Sequence, residues 1–199
     1  MVFILGVVFA SACTTQSQQS GFKEFEKLCD TKNPQGVIGI FHFKQNIIDA
    51  FNNDKLIVAM ENISDPGNMG TILRNCDWFG VKNVLLSSDC AEIYNPKVIR
   101  ASAGSVFHLN IYRKDNLIST LEEQKKLGYK ILCADLNGDN LYNFSQREKL
   151  ILVLANEANG PTEELINTCD LRITIPRIGN AESLNVASAS AVILSELSK

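Results

Sequence analysis

Ile173-Thr174-Ile175-Pro176-Arg177-Ile178-Gly179-Asn180-Ala181-Glu182-Ser183-Leu184-Asn185-Val186 reads as a strand, a turn and the mouth of a helix. The strand pattern covers Leu171 to Ile175, and Pro176 and Gly179 interrupt it. Ser183 and Asn185 then stand where a helix begins, and apolar residues recur at helical spacing from Val186 to Leu197. The first turns of that helix, Ala187-Ser188-Ala189-Ser190-Ala191, carry only small side chains, which allow a neighbouring element to approach closely.

The same alternation extends back along the chain. Leu56 to Met60, Val84 to Leu86, Ile131 to Ala134 and Leu150 to Leu154 are short apolar runs of the kind that form buried strands. Met69 to Phe79, Asn116 to Leu127 and Thr162 to Asn167 have helical spacing between them. The expected fold is therefore α/β with a mainly parallel sheet. Upstream, residues 1–43 form a small separate unit: an apolar run from Val2 to Ala10, a helical pattern from Gly21 to Leu28, the turn Asn33-Pro34-Gln35-Gly36 and a short strand from Val37 to Phe41. This unit reads as incomplete, and the main domain is expected over residues 44–199.

Composition narrows the classes. Among 199 residues, 45% are hydrophobic and 21% charged, which suits a globular chain that buries a sizeable core. No run reaches the ~20 apolar residues that a membrane-spanning helix needs. The formal charge of −3 excludes bulk electrostatic gripping of nucleic acid, so any contact with it must be local. Six cysteines (Cys13, Cys29, Cys76, Cys90, Cys133 and Cys169) lack Cys-x-x-Cys spacing, and with two histidines they offer no metal-ligand cluster. They read as reduced thiols of a cytoplasmic protein. Ala10-Ser11-Ala12-Cys13 imitates a lipoprotein cleavage site, but no Lys or Arg precedes the apolar run, which argues against export.

Ligands of parallel sheets bind beyond the carboxyl ends of the strands, so the polar residues after each apolar run are the candidates for a site. Asp65-Pro66-Gly67-Asn68-Met69-Gly70-Thr71-Ile72-Leu73-Arg74 follows the first strand, with Asn68 expected as the cap of a helix from Met69 and Arg74 on its second turn. Taken singly, Arg74 reads more readily as a surface ion-pair residue than as a catalytic one. Ala155-Asn156-Glu157-Ala158-Asn159-Gly160-Pro161 follows Leu154, the last residue of the most apolar strand. Glu157 is either a carboxylate partner for Arg74 or substrate, or a helix cap. Gly-x-Gly-x-x-Gly, the phosphate-binding Gly-Lys-Ser/Thr loop, the Gly-x-Ser-x-Gly elbow and zinc spacings are all absent, which counts against hydride transfer, nucleotide hydrolysis and ester hydrolysis.

Together, three ordered segments resemble the SpoU/TrmH group of SPOUT-superfamily RNA methyltransferases. Asn68-x-Gly70-x-x-x-Arg74 resembles the first motif, Asn156-Glu157 with Gly160 the second, and Ile175-Pro176 through Ser183-Leu184-Asn185-Val186 the third. Arg100-Ala101-Ser102-Ala103-Gly104-Ser105-Val106-Phe107 resembles an intervening Ser/Gly segment of the family. The likeness runs from about Lys55 to Leu197.

That resemblance implies a C-terminal deep trefoil knot, which general topology rules would not predict. It also implies a homodimer and S-adenosylmethionine held by Leu154, Ala155, Gly160, Ile175, Gly179 and Leu184. The implied reaction is methyl transfer to a ribose 2′-hydroxyl of RNA, with ribosomal RNA favoured over tRNA. Arg74, Asn68, Glu157, Ser183 and Asn185 form the implied catalytic set, without a metal. A guanidinium is effectively never deprotonated in a protein, so Arg74 would orient a phosphate and stabilise the forming alkoxide. Ala155 and Ala158 stand where many relatives carry glycine, and Arg177 where methionine is common. The N-terminal unit resembles the tail of a ribosomal-protein-like substrate-binding domain. A basic patch at Lys97, Arg100, Arg113 and Lys114 is a further candidate for contact with RNA. The competing readings are a catalytically silent RNA-binding SPOUT protein, a SPOUT enzyme that methylates a base, and an α/β binding domain unrelated to methyl transfer.

Overall fold

A computed structural model describes residues 5–6, 38–39, 54–145, 149–156 and 159–199. The chain divides into two compact units, Met1–Gln45 and Asn46–Lys199. In the first, β1 (Leu5–Gly6) pairs antiparallel with β2 (Ile38–Gly39). The helix expected over Gly21 to Leu28 and the turn at Asn33 to Gly36 lie outside the described residues.

In the second unit six parallel strands form one sheet: β3 (Leu56–Glu61), β4 (Asn83–Ser87), β5 (Asn110–Lys114), β6 (Lys130–Asn140), β7 (Leu150–Ala155) and β8 (Leu171–Thr174). Their spatial order is β5-β4-β3-β7-β6-β8. Interleaved are α1 (Pro66–Trp78), α2 (Pro96–Ser102), α3 (Leu117–Lys126), α4 (Glu163–Thr168) and α5 (Val186–Leu197). Every residue of β4 and β7 is buried, as expected of strands covered on both faces. One face carries Ile57, Ala59, Ile131, Cys133, Ile151 and Val153 against Leu117 and Leu121 of α3 and Leu165 of α4. The period of two turns Val58, Met60, Leu132, Leu152 and Leu154 to the opposite face. There α5 meets β7, and α1 packs against both α2 and α5.

Strand order reverses between β3 and β7. The chain runs outward from β3 through β4 to β5, then crosses to β6 and returns to fill the gap with β7. Met60 pairs with Leu154 and Glu61 with Ala155, so the carboxyl ends of these two strands lie side by side at the reversal, where ligands of such sheets bind. At the far edge, Ile173 of β8 pairs with both Ala134 and Asp139 of β6, and residues 135–138 leave the ladder as an arch. A Cβ on Gly138 would stand 2.5 Å from Ile173 N and 2.7 Å from Arg172 C, so the arch lies flush against the β8 backbone.

Two elements differ from the sequence expectation. β5 is an edge strand in which only Tyr112 is buried, so it has no apolar run to announce it. The short α2 begins at Pro96 behind the cap Asn95 and runs into the segment assigned to the Ser/Gly motif.

Candidate active site

The ends of β3, β4 and β7 are tied together by side chains. Glu61 closes β3 and accepts from Thr162 Oγ1 at 2.7 Å and Thr162 N at 3.0 Å, while Thr162 caps α4 through Leu165 N. Asn62 follows with a left-handed backbone (φ 52°). Its N–H donates to Ser87 Oγ at 2.9 Å, and its carbonyl accepts from Asn156 Nδ2 at 2.9 Å. An αL conformation costs a non-glycine residue energy, and these two bonds hold it in place. Arg113 anchors the adjoining loop by donating to the carbonyls of Ser88 (2.8 Å), Cys90 (2.9 Å) and Ala91 (2.9 Å).

This scaffold sets the start of α1. Asp65 is the cap, accepting from Asn68 N at 2.8 Å, and Pro66 opens the helix. The expected cap at Asn68 is therefore corrected: the helix starts three residues earlier than Met69, and Arg74 sits on its third turn. The Asn68 N–H, assisted by Lys97 at 3.3 Å, holds the Asp65 carboxyl below its ordinary range against partial desolvation. Gly70 brings α1 against α2, because a Cβ there would stand 2.5 Å from Ala101 Cβ and 2.6 Å from Val98 O.

Asn185 is the cap of α5. Its Oδ1 accepts from Ala187 N (3.0 Å) and Ser188 N (3.3 Å), and its Nδ2 donates to Asn68 Oδ1 at 3.0 Å. The small residues of α5 serve this contact, with Ala187 and Ser190 buried. Arg74 is exposed and makes no hydrogen bond or ion pair among the described residues. Thr71 and Trp78, the latter 81% exposed, lie on the same side of α1.

Beside this helix pair lies a cavity of about 700 Å³, within the size range of small-ligand sites. Leu154, Ala155, Gly160, Ile175, Gly179 and Leu184 all line it, as does Ser183. Its walls come from the carboxyl end of β7, the 135–138 arch and the chain after β8. Val186 and Ile193 add apolar surface, and Asp135, Asn156 and Arg172 add polar groups. Arg172 pairs with Asp135 at 3.1 Å. Gly160 has φ 66°, a conformation that favours glycine, and space lies open where its Cβ would stand.

The sequence-predicted residues thus fall into two groups: seven around the cavity, and the bonded pair Asn68 and Asn185 with Arg74 further along the helix that bears Asn68. Glu157 and Ala158 lie outside the described residues. Sequence reasoning missed Glu61, Asn62, Ser87 and Asn75, which position the loops and helices of the site. The signal for three of them is that Glu61, Asn62 and Ser87 are polar residues directly after an apolar run. Of the four basic residues at positions 97, 100, 113 and 114, Arg113 donates to loop carbonyls and Lys97 pairs with Asp65 at an exposed position. Burial pushes the Cys76 thiol up, and a hydrogen bond with Cys169 together with burial does so for Cys133, so neither supplies a thiolate nucleophile.

A parallel sheet with an apolar cavity at its strand ends, beside a helix whose Arg74 is unpaired among the described residues, defines an α/β protein with a small-ligand site. The SpoU rRNA methylase family matches residues 55–195, and the chain belongs to that family. It is 32% identical over 174 residues to the Bacillus subtilis 23S rRNA (guanosine(2553)-2′-O)-methyltransferase RlmP, covering 87% of this chain and 68% of that relative. The SpoU methyltransferase AviRb from Streptomyces viridochromogenes, solved in complex with AdoMet, superposes with a TM-score of 0.75 at 26% identity, covering 88% of this chain and 76% of that one. An AdoMet-bound rRNA methyltransferase from Sinorhizobium meliloti superposes at 0.78 with 28% identity, covering 89% and 69%.

Proposed function

We propose that this chain transfers the methyl group of S-adenosylmethionine to a ribose 2′-hydroxyl of RNA, with ribosomal RNA favoured over tRNA as substrate. The observation that carries the reading is the convergence of all six expected cofactor residues on one cavity, beside the bonded Asn68–Asn185 pair. Membership of a family whose named members include 23S rRNA 2′-O-methyltransferases supports it.

The cavity fits the cofactor in size and chemistry. Leu154, Ile175 and Leu184 offer apolar walls for a purine, and Asp135 and Asn156 offer hydrogen-bonding groups for hydroxyls or an amino group. When bound, the cofactor supplies an electrophilic sulfonium methyl. Arg74 orients the phosphate next to the target ribose and stabilises charge growing on the 2′-oxygen. Asn68 and Asn185 hold the helix that bears it, and Ser183 faces the cavity. No metal takes part in this scheme.

The 135–138 arch over β8 supports a knotted threading of the C-terminal segment. The exposed face of α1, bearing Arg74 outside the cavity and Trp78, supports a homodimer in which a second copy covers it. Residues 1–43 are assigned to RNA substrate binding and residues 44–199 to methyl transfer, in the cytoplasm.

The test is tritium transfer from labelled S-adenosylmethionine to ribosomal RNA, followed by nucleoside analysis. A 2′-O-methylated nucleoside is the expected product, and a base-methylated one would overturn the ribose assignment. Arg74→Ala abolishes transfer and leaves the cofactor Kd within about twofold, because Arg74 does not line the cavity. Retained turnover would remove Arg74 from the mechanism.

A further inference from the structure

Asn75, next to Arg74 in sequence, donates its Nδ2 to Ala187 O at 2.9 Å and to Ser190 Oγ at 2.8 Å. Ser190 is fully buried, and its Oγ in turn donates to Ala187 O at 2.7 Å. A buried hydroxyl is thus satisfied as both donor and acceptor by one inter-helix junction. Seven residues earlier on α1, Asn68 makes the other polar bridge to α5 through Asn185. Seven residues fall about 20° short of two full helical turns, so Asn68 and Asn75 share one stripe of α1. At 1.5 Å per residue they stand about 10 Å apart along it.

From this geometry we infer that Asn75 and Ser190 are positioning residues for methyl transfer, forming with Asn68 and Asn185 a two-point latch that fixes the rotation of α1 and so the direction of Arg74. The inference rests on the catalytic reading of Arg74. One anchor alone leaves a helix free to tilt about it, whereas two on one stripe remove that tilt and pin the stripe to α5, and the close packing of Gly70 on α2 blocks the remaining roll about it. The sensitivity is large. A side-chain atom on the ~5–6 Å outer radius of a helix moves about 1 Å when the helix rotates by about 10°. A displacement of that size can cost about 100-fold in rate. The cavity walls contain no residue of α1, so cofactor binding should be indifferent to a rotation of α1, and Asn75→Asp, which alters α1 alone, is a cleaner test than Ser190→Ala.

The experiment compares Asn75→Asp, Ser190→Ala, the double variant and Arg74→Ala in the full-length protein. It measures kcat and KM on transcribed large-subunit ribosomal RNA with labelled S-adenosylmethionine, the cofactor Kd by calorimetry, and the melting temperature. Asn75→Asp keeps the side-chain shape but cannot donate to Ala187 O or Ser190 Oγ. Its kcat is expected to fall about 10- to 100-fold, with the cofactor Kd changed by less than about twofold. Ser190→Ala, which leaves the Asn75 bond to Ala187 O, is expected to lose about threefold, and the double variant no more than Asn75→Asp alone. If Asn75→Asp does not fold, the kcat-against-Kd split of Ser190→Ala decides the matter. Wild-type kcat in a folded Asn75→Asp, or equal losses in kcat and cofactor affinity, overturns the latch while leaving the catalytic reading intact. Turnover retained by Arg74→Ala overturns that reading and the latch with it.

Discussion

Gly70→Ala gives a sharp test of the packing behind the site, because two effects of opposite sign compete at one atom. Alanine in a helix interior is favoured over glycine by about 1 kcal/mol, so helix propensity alone predicts a more stable protein. The new Cβ, however, would stand 2.5 Å from Ala101 Cβ, 2.6 Å from Val98 O and 2.9 Å from Ser102 N. Two of these three atoms are backbone, so no rotamer change relieves the clash. Ordinary contact begins near 3.4 Å, so α1 and α2 must separate by about 0.9 Å. Both helices resist that movement, since Asp65 caps α1, Asn95 caps α2, and Lys97 joins α2 to Asp65. Overpacking of this kind costs about 1–3 kcal/mol, which leaves a net loss of about 0–2 kcal/mol after the propensity gain, with the rigid backbone contacts favouring the upper end. For a chain of this size that lowers the melting temperature by up to about 8 °C. Circular dichroism melting provides the assay, with cofactor calorimetry and methyl transfer on the same samples. Transfer should fall at least tenfold, because a shift of α1 carries Arg74 with it, while cofactor affinity holds. A melting temperature raised by the roughly 2–4 °C that helix propensity alone predicts would refute the steric argument. A lowered melting temperature with unchanged turnover would refute the claim that the α1 position controls chemistry.

Gly138→Ala should act on the other half of the site: the three atoms nearest its Cβ are backbone atoms of Arg172 and Ile173, so the 135–138 arch must lift from β8 and the cofactor Kd should rise by at least tenfold in calorimetry. An unchanged Kd would detach the arch from the pocket. Asp65→Ala removes the cap of α1 and should cost about 1 kcal/mol at pH 7, read as a melting-temperature drop of about 2–4 °C. Because the Asp65 carboxyl is held below its ordinary value of 3.8 in the fold, its contribution is present above that value and disappears as pH falls through the depressed one. The gap between wild type and Asp65→Ala should therefore close in acid melting series, and a gap constant down to pH 2 would contradict the assignment.

What was legible in the sequence follows from what each segment buries. β3, β4, β6 and β7 contain apolar runs because both faces of the central sheet are covered, and these runs were read directly. β5 was not, since an edge strand with Tyr112 as its one buried residue has no such run. The insertion of β7 between β3 and β6 creates the site, yet strand order leaves no trace in a linear pattern. The cap of α1 was misplaced at Asn68 although Asp65-Pro66 carries the signal of a cap followed by proline at the first helical position. Ser183 stands out locally as a polar residue at the mouth of a helix, whereas no local property of Leu184 or Gly179 assigns them to a cavity, and the motif alone does so. Asn75 and Ser190 were invisible, because a partner 115 positions away is a tertiary fact.

The two halves of the site meet at residues 183–185, and this limits what substitutions there can reveal. Ser183 and Leu184 line the cavity, while Asn185, the next residue, caps α5 and bonds Asn68 on α1. Removing the Asn185 side chain deletes a helix cap of about 1 kcal/mol and one anchor of α1 in the same step. Lost turnover in Asn185→Ala would therefore follow equally from a misdirected Arg74 and from a direct contact of the amide with ribose, and cannot assign a catalytic role by itself. Arg74 has no such ambiguity: its side chain is exposed and bonds nothing among the described residues, so truncating it leaves the fold with nothing to repair. A loss of transfer in Arg74→Ala without loss of stability must then arise in the encounter with RNA or with a second copy of the chain. In the homodimer proposed above, mixing Arg74→Ala with Gly138→Ala, at a cofactor concentration that loads only the intact cavity, distinguishes these origins. If each copy's arginine serves its partner's cavity, mixed dimers regain one complete site. If each arginine serves its own cavity, the mixed dimer contains none and stays inactive.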